Sequence, residues 1–329
     1  MSIFTNKNIE DALLNSKKVA IAGHIRPDGD CIGSCTALYM YLNECRKELG
    51  LERVDVYLEP FGEEFNILSG TEHIRHTSDN DEVYDVFISL DSSSPDRLGF
   101  AIKYFESAKK RICIDHHITN VFFADINHVV ADASSTCEVL YNLMDNSRIT
   151  KDIAKSLYIG IVHDTGMFKN SSTSDKTMEI AAGLIRKGID FTRLIDETFI
   201  QKTYMQLQIM GRCLMESQVL LGGKVIVSSI ERKVLDFYGA SFGDLNGIID
   251  QLRTAKGCEV AIFIYETNEN EHKVSLRSNS IVDVSKIAYY FGGGGHIKAA
   301  GCTMAGTVQD IINTLTPHIE EQLRAGNAL

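Results

Sequence analysis

Short apolar runs alternate, through the first half of the chain, with longer stretches in which apolar residues recur every three or four positions. Residues 19–22, 54–58, 86–90 and 111–114 have the length and composition of buried strands, whereas residues 32–49, 135–144 and 153–162 carry apolar side chains at helical spacing. Runs that are apolar throughout and separated by helices predict a parallel sheet covered on both faces. Further along, the pattern predicts strands over 224–229, 258–265 and 272–277, helices over 244–254, 282–290 and 308–324, and a loop of four glycines at 292–295. The fold class is therefore α/β: a parallel-sheet domain over residues 1–185, a helical connection over 186–215, and a smaller α/β domain over 216–329. A length of 329 residues suits two hydrophobic cores.

Charge narrows the classes of partner. Lysine and arginine number 33 against 44 aspartates and glutamates, a net charge of −11, so the average surface repels a long polyphosphate and offers no track for long nucleic acid. An acid excess also arises where carboxylates gather to hold divalent cations. The eight cysteines include no Cys-x-x-Cys pair and lie in or beside apolar runs, which predicts reduced, buried thiols, no structural zinc, and a reducing cytoplasm. No apolar run approaches the roughly 18 residues that could cross a bilayer, and the first residues lack a basic-then-apolar leader, so neither membrane insertion nor secretion is expected.

Ligands of open parallel sheets sit beyond the carboxyl ends of the strands, and the polar residues collect there. His24, Asp28 and Asp30 follow the first run, Asp91 the third, and Asp115-His116-His117 the fourth. One imidazole and two carboxylates on a turn held by Pro27 and Gly29 suit Mn²⁺ or a similar divalent ion; the alternative is that the aspartates simply cap the next helix, near Cys31, which Asp30 could do. Successive side chains at a strand end point to opposite faces, so His116 and His117 divide the work: one ligates, and the other stays free to donate a proton to a leaving oxygen. Asp91 and Asp164 have no lysine or arginine close by on their amino-terminal side, which makes metal the simplest partner. His163 and Asp96 are neighbours without an assigned role. The candidates His24, Asp28, Asp30, Asp91, His116 and Asp164 exceed what one transition ion usually takes and suit two ions bridged by Asp91. Two ions about 3.5–4 Å apart can share a hydroxide and clamp a phosphoryl group.

A third constellation, Gly293, Gly294, Gly295 and His296, invites backbone N–H groups to approach an anion, with positive potential from the start of a following helix. Arg277 and Ser278, at the end of a preceding strand, add phosphate-type contacts. A merely flexible loop is the alternative.

Taken together, His24-x3-Asp28-x-Asp30 with Gly33-Ser34, Asp91 with Arg97-Leu98-Gly99, Asp115-His116-His117-x2-Asn120, Ser134-Ser135-Thr136 with Glu138, Asp164, and Gly293–His296 with Ala299-Ala300-Gly301 resemble the DHH superfamily of metal-dependent phosphoesterases over almost the whole chain. The carboxy-terminal motif resembles the DHH-associated domain. The basic carboxy-terminal run of family II pyrophosphatases and the membrane segments of cyclic-di-AMP phosphodiesterases have no counterpart here, and the length leaves little room for the extra domain of RecJ-type exonucleases. The stand-alone oligoribonuclease (nanoRNase) and pAp phosphatase branch is most similar, pAp being 3′-phosphoadenosine 5′-phosphate.

This resemblance implies an active site in a cleft between the domains. It implies a first ion on His24, Asp28 and Asp91 and a second on Asp30, Asp91, His116 and Asp164, with His117 contacting the scissile phosphate and Asp115 supporting it. The ions are expected to be Mn²⁺, with Mg²⁺ or Co²⁺ as substitutes. Arg97, Ser134, Ser135, Arg277, Ser278, Gly293, Gly294, Gly295 and His296 are implied substrate contacts. The neighbours of Asp91, Ser92-Ser93-Ser94-Pro95, depart from the usual family versions. The expected activity is hydrolysis of very short RNA to mononucleotides and of pAp to AMP in the cytoplasm. A phosphodiesterase for cyclic or linear dinucleotides and a non-catalytic nucleotide sensor are the alternatives, and a homodimer is left open.

Overall fold

The computed structural model describes residues 2–79 and 81–326, which divide into two compact units, Met1–Gln201 and Lys202–Leu329. In the first unit six strands form one parallel sheet: β1 (Lys18–Ala22), β2 (Arg53–Tyr57), β3 (Ile74–Arg75), β4 (Val86–Leu90), β5 (Lys110–Asp115) and β6 (Ile126–Val129), in the order β3-β2-β1-β4-β5-β6. Side chains alternate between two cores. Val19, Ile21, Val86, Ile88 and Leu90 face one apolar cluster, while Ala20, Ala22 and Phe87 face another with Tyr57, Tyr84, Tyr104 and Phe105. Both faces are thus buried, which is why these strands read as continuous apolar runs.

The strand order reverses between β1 and β4, and a crevice opens at such a switch point beyond the carboxyl ends of the strands. The helix after β1 runs Gly29–Glu44 and breaks at Cys45 before a short turn, Arg46–Leu49, so the single helix expected over 32–49 starts earlier and is interrupted. It packs against the helix Lys151–Asp164 at Gly33, where a Cβ would stand 2.5 Å from the Ser156 carbonyl, and a Cβ on Gly160 of that helix would stand 2.2 Å from Cys137 Sγ in the helix Thr136–Leu143. β3 and β6 escape sequence reading because one has two residues and the other, at the sheet edge, carries the polar pair Asn127-His128.

The second unit also has six strands, β7 (Gln218–Leu220), β8 (Val225–Ile230), β9 (Val260–Asn268), β10 (Glu271–Ser278), β11 (Gly294–His296) and β12 (Ala299–Ala305), in the order β11-β12-β10-β9-β8-β7. Only β8 and β9 pair in parallel. The glycine segment corrects the expectation of a loop leading into a helix: Gly294–His296 is an edge strand, and a two-residue turn returns it as β12. The reason is close approach. A Cβ on Gly293 would lie 2.2 Å from the Gly301 carbonyl, and Ala299–Ala305 is too poor in β-branched residues to read as a strand. Among the described residues no helix is long and apolar enough to cross a membrane.

Candidate metal centre

Beyond β1 the chain turns through Gly23–Pro27, and Asp28 caps the helix Gly29–Glu44, its Oδ1 accepting from the N–H groups of Asp30 and Cys31, both at 3.1 Å. The cap is thus Asp28 and not Asp30, whose carboxylate accepts from Thr136 and Cys137 of a distant helix. The other oxygen of Asp28 lies 3.7 Å from His24 Nε2, so capping and facing the cluster coexist on one carboxylate. His24 Nδ1 stands 2.8 Å from the Ile25 carbonyl. A carbonyl only accepts, so Nδ1 carries a proton and Nε2 is the ring atom turned to the carboxylates.

Asp91 follows β4 with a left-handed φ of 54°, a conformation costly for a residue with a Cβ and typical of functional sites. Its backbone N–H still pairs with the Ile114 carbonyl at 3.2 Å while the side chain is turned into the crevice. There its two oxygens separate: Oδ2 lies 3.4 Å from His24 Nε2, and Oδ1 lies 3.6 Å from both His116 Nε2 and His117 Nδ1. Thr136 Oγ1 donates to Oδ1 at 3.1 Å.

His116 Nδ1 faces the Ala133 carbonyl at 3.3 Å, which turns Nε2 toward Asp164 Oδ2, 3.0 Å away. Asp30, wholly buried, accepts from the N–H groups of Thr136 at 2.6 Å and Cys137 at 3.0 Å, and so seats the start of the helix Thr136–Leu143. Ligand atoms of Asp30, His116 and Asp164 lie within 4.8 Å of one another. His117 differs from its neighbour: its Nδ1 donates to Asp115 Oδ1 at 2.7 Å, and Asn120 Nδ2 donates to Asp115 Oδ2 at 2.6 Å. Both oxygens of this fully buried carboxylate are engaged, and His117 Nε2 has no protein partner among the described residues.

The electrostatics test whether cations suit this place. Among the described residues no lysine or arginine forms an ion pair with Asp28, Asp30, Asp91 or Asp164. Burial and the nearby Asp91 and Asp164 push Asp30 well above the ordinary carboxylate range. Burial works against a charged His116, yet Asp164, Asp30 and Asp91 raise it to about 10. Protonated imidazoles are thus the positive charge this chain itself offers to its acids, and a mixed N/O donor set without a cation suits divalent ions. Cys31, which sequence reading set aside as an ordinary core thiol, is buried within 4.8 Å of His24 and Asp91. His163 is packed between Phe65 and Phe199, with burial lowering it to about 4.

The other expected contacts separate into engaged and available groups. Ser135 caps the helix Thr136–Leu143, and Ser134 Oγ donates to Glu138 Oε2 at 2.6 Å, an oxygen that also accepts from Thr177 at 2.7 Å. Both serines are buried and hold the site's frame. Arg97, in the 3-10 helix Pro95–Ala101 after β4, has a buried Nε with no partner among the described residues. In the second unit, Ser278 Oγ donates to the Val282 carbonyl at 2.5 Å and is buried, while Arg277 stands 3.6 Å from Asp250. His296 is exposed on edge strand β11, whose outer N–H groups are unpaired in the sheet. The amides left open here are those of the edge strand, and Lys298 at the turn, a residue sequence reading did not single out, donates to the Ser280 carbonyl.

The glycine crossing is part of the centre. A Cβ on Gly160 would also come 2.6 Å from Asp30 Oδ1, so Gly160→Ala should cost about 1–3 kcal/mol through overpacking and displace that carboxylate. Thermal melting and metal analysis of the variant should show a lower Tm together with weakened metal retention.

A parallel sheet whose switch point gathers carboxylates and imidazoles, with no lysine or arginine paired to those carboxylates among the described residues, suits a metal-dependent hydrolase. Residues 18–161 match the DHH family, N-terminal domain, and residues 222–324 match the DHHA1 domain. The chain is 31% identical over 314 residues, 94% of its length and 91% of the other, to the bifunctional oligoribonuclease and PAP phosphatase NrnA of Thermus thermophilus. It is 24% identical to the protein of the same name from Bacillus subtilis, over 85% of this chain and 87% of that one. The crystal structure of an exopolyphosphatase-related protein from Bacteroides fragilis shares the fold with a TM-score of 0.86, 24% identity and 95% coverage of each chain. The chain belongs to the DHH family of phosphoesterases and carries a DHHA1 domain, and is a hydrolase of phosphate ester bonds.

Proposed function

We propose that this protein hydrolyses very short oligoribonucleotides to mononucleotides and removes the 3′-phosphate of pAp, with two divalent ions, Mn²⁺ foremost, held by His24, Asp28, Asp30, Asp91, His116 and Asp164. The observation that carries the reading is the division of Asp91, one oxygen toward His24 and the other toward His116 and His117. The names of the similar proteins from Thermus thermophilus and Bacillus subtilis supply the substrate classes. Bound divalent ions would supply an activated water and neutralise charge on the phosphoryl oxygens.

The chain's own groups do the rest. Asp115 keeps the proton on His117 Nδ1 and fixes the ring, so Nε2 is the atom that meets the phosphate and, when protonated, donates to the leaving oxygen. Burial opposes the charged form of His117, but the Asp115 hydrogen bond dominates and raises its pKa, which keeps that proton available. Arg97 and the His296 edge strand bind phosphates, and the acid excess gives a long strand no further grip. Eight buried, unpaired cysteines support a cytoplasmic setting.

Chelated enzyme reloaded with Mn²⁺ should bind about two equivalents and turn over pAp and di- to pentanucleotides with a kcat/KM several-fold above that for a long strand. A single equivalent under turnover conditions overturns the paired-ion reading. Cyclic dinucleotides as the preferred members of the same panel overturn the substrate assignment.

A further inference from the structure

Cys31 brings sulfur to one side of the metal centre. It lies in the first turn of the helix Gly29–Glu44, next in sequence to Asp30, and its thiol is fully buried. Its Sγ, a ring nitrogen of His24 and a carboxylate oxygen of Asp91 all lie within 4.8 Å of one another, and all three residues are buried. Two donors on one ion, each about 2.0–2.3 Å from it, stand up to roughly twice that apart, so these three atoms can close on a single cation with little movement. Room for the sulfur comes from Gly23, the residue before His24: a Cβ there would stand 2.2 Å from Cys31 Sγ and 3.4 Å from Cys35 Sγ. The thiol therefore rests against the backbone that presents His24, at 3.9 Å from the His24 carbonyl.

The other donor groupings at this centre, among the described residues, are Asp91 with His116 and His117, and Asp30 with His116 and Asp164. Both offer nitrogen and oxygen alone. Asp91 turns Oδ2 to His24 and Oδ1 to His116, so the sulfur belongs to one side of that carboxylate and not to the other. The two ion positions are therefore chemically unlike. Carboxylates and imidazoles serve Mn²⁺ well, whereas a thiolate shifts preference toward softer ions.

We propose that Cys31 is a sulfur donor to the ion position at His24 and Asp91, which makes that position selective for thiophilic divalent ions such as Co²⁺, Zn²⁺ and Cd²⁺, while the position at Asp30, His116 and Asp164 keeps a preference for Mn²⁺. As the metal–sulfur bond forms, the thiol proton leaves to solvent. A thiophilic ion thus displaces Mn²⁺ from one position only, and the protein then holds two different metals. The inference rests on the proposed pair of ions and extends it to the selectivity of each.

Cobalt tests this without a turnover assay. Metal-free parent titrated with Co²⁺ should develop sulfur-to-cobalt charge-transfer absorption in the near ultraviolet that saturates at about one of the two equivalents bound. Cys31→Ala and Cys31→Ser should both lose that absorption while still taking up cobalt, and Cys35→Ala, one helical turn further on, should keep it. Alanine replaces one small buried hydrophobe with another and serine keeps the size, so circular dichroism of at least one variant should match the parent. In competition dialysis, Cd²⁺ should displace about one equivalent of Mn²⁺ from the parent, and loss of the sulfur should weaken Cd²⁺ binding by about 100-fold, the upper end of what even groups that merely orient a ligand are worth. Mn²⁺ affinity should stay near the parental value. Cobalt uptake by the parent without charge-transfer absorption, or absorption that survives in both Cys31 variants, overturns the sulfur donor and leaves the paired ions standing. A parent that takes up neither Mn²⁺ nor Co²⁺ overturns the paired ions, and the sulfur donor with them.

Discussion

Asp91→Asn should abolish turnover, lowering kcat/KM by roughly four orders of magnitude or more, and should reduce bound Mn²⁺ from about two equivalents to one or fewer. The size of the effect follows from the two-sided position of this carboxylate, with His24 at 3.4 Å from one oxygen and His116 at 3.6 Å from the other. Asparagine removes the charge and replaces one oxygen with a donor, so the side that receives the amide nitrogen cannot ligate. It is also the substitution most tolerant of the left-handed φ of 54°, which keeps loss of fold from being mistaken for loss of site. Metal analysis after gel filtration, read with circular dichroism, checks both parts. Retention of two equivalents with full activity would remove Asp91 from the bridging position.

His117→Ala should act differently: kcat should fall by about 10²- to 10⁴-fold, the usual worth of a positioned acid, while metal content stays at the parental value. Its Nδ1 is spent on Asp115 at 2.7 Å, so Nε2 alone meets the substrate. Asp115→Asn supplies the matching control. Asp115 now accepts from His117 on one oxygen and from Asn120 on the other, and an amide must turn its NH₂ against one of those donors. The variant should lose kcat with little change in KM, and should lose stability through an unsatisfied buried donor, by about 1–3 kcal/mol. A His117→Ala protein whose main defect is lost manganese would make that ring a ligand and not the proton donor.

The parallel sheet and the places where acids and imidazoles gather were readable in the sequence because both depend on local pattern. A strand buried on two faces is an uninterrupted apolar run, and a polar cluster after such a run stands at a strand end. His24, Asp91 and His116 could be ranked from that alone. What remained hidden depends on contacts between distant segments. Nothing near Asp30 announces that it seats a helix more than a hundred residues later, and nothing near Gly160 announces a neighbour that leaves no space for a methyl group. The glycine-histidine segment misled for a related reason: glycines were read as freedom for a ligand, whereas β11 and β12 use them to let backbones touch.

The double employment of Asp30 ties chemistry to durability. Its carboxylate pins the first amides of a helix and also faces His116 and Asp164. With an ion held there as proposed, removing it should loosen a keystone of the architecture as well as silence the reaction, since anything bound only by the native state adds to its free energy of unfolding. On that proposal, a cell short of the ion should lose the molecule to proteases, its abundance and its output declining together.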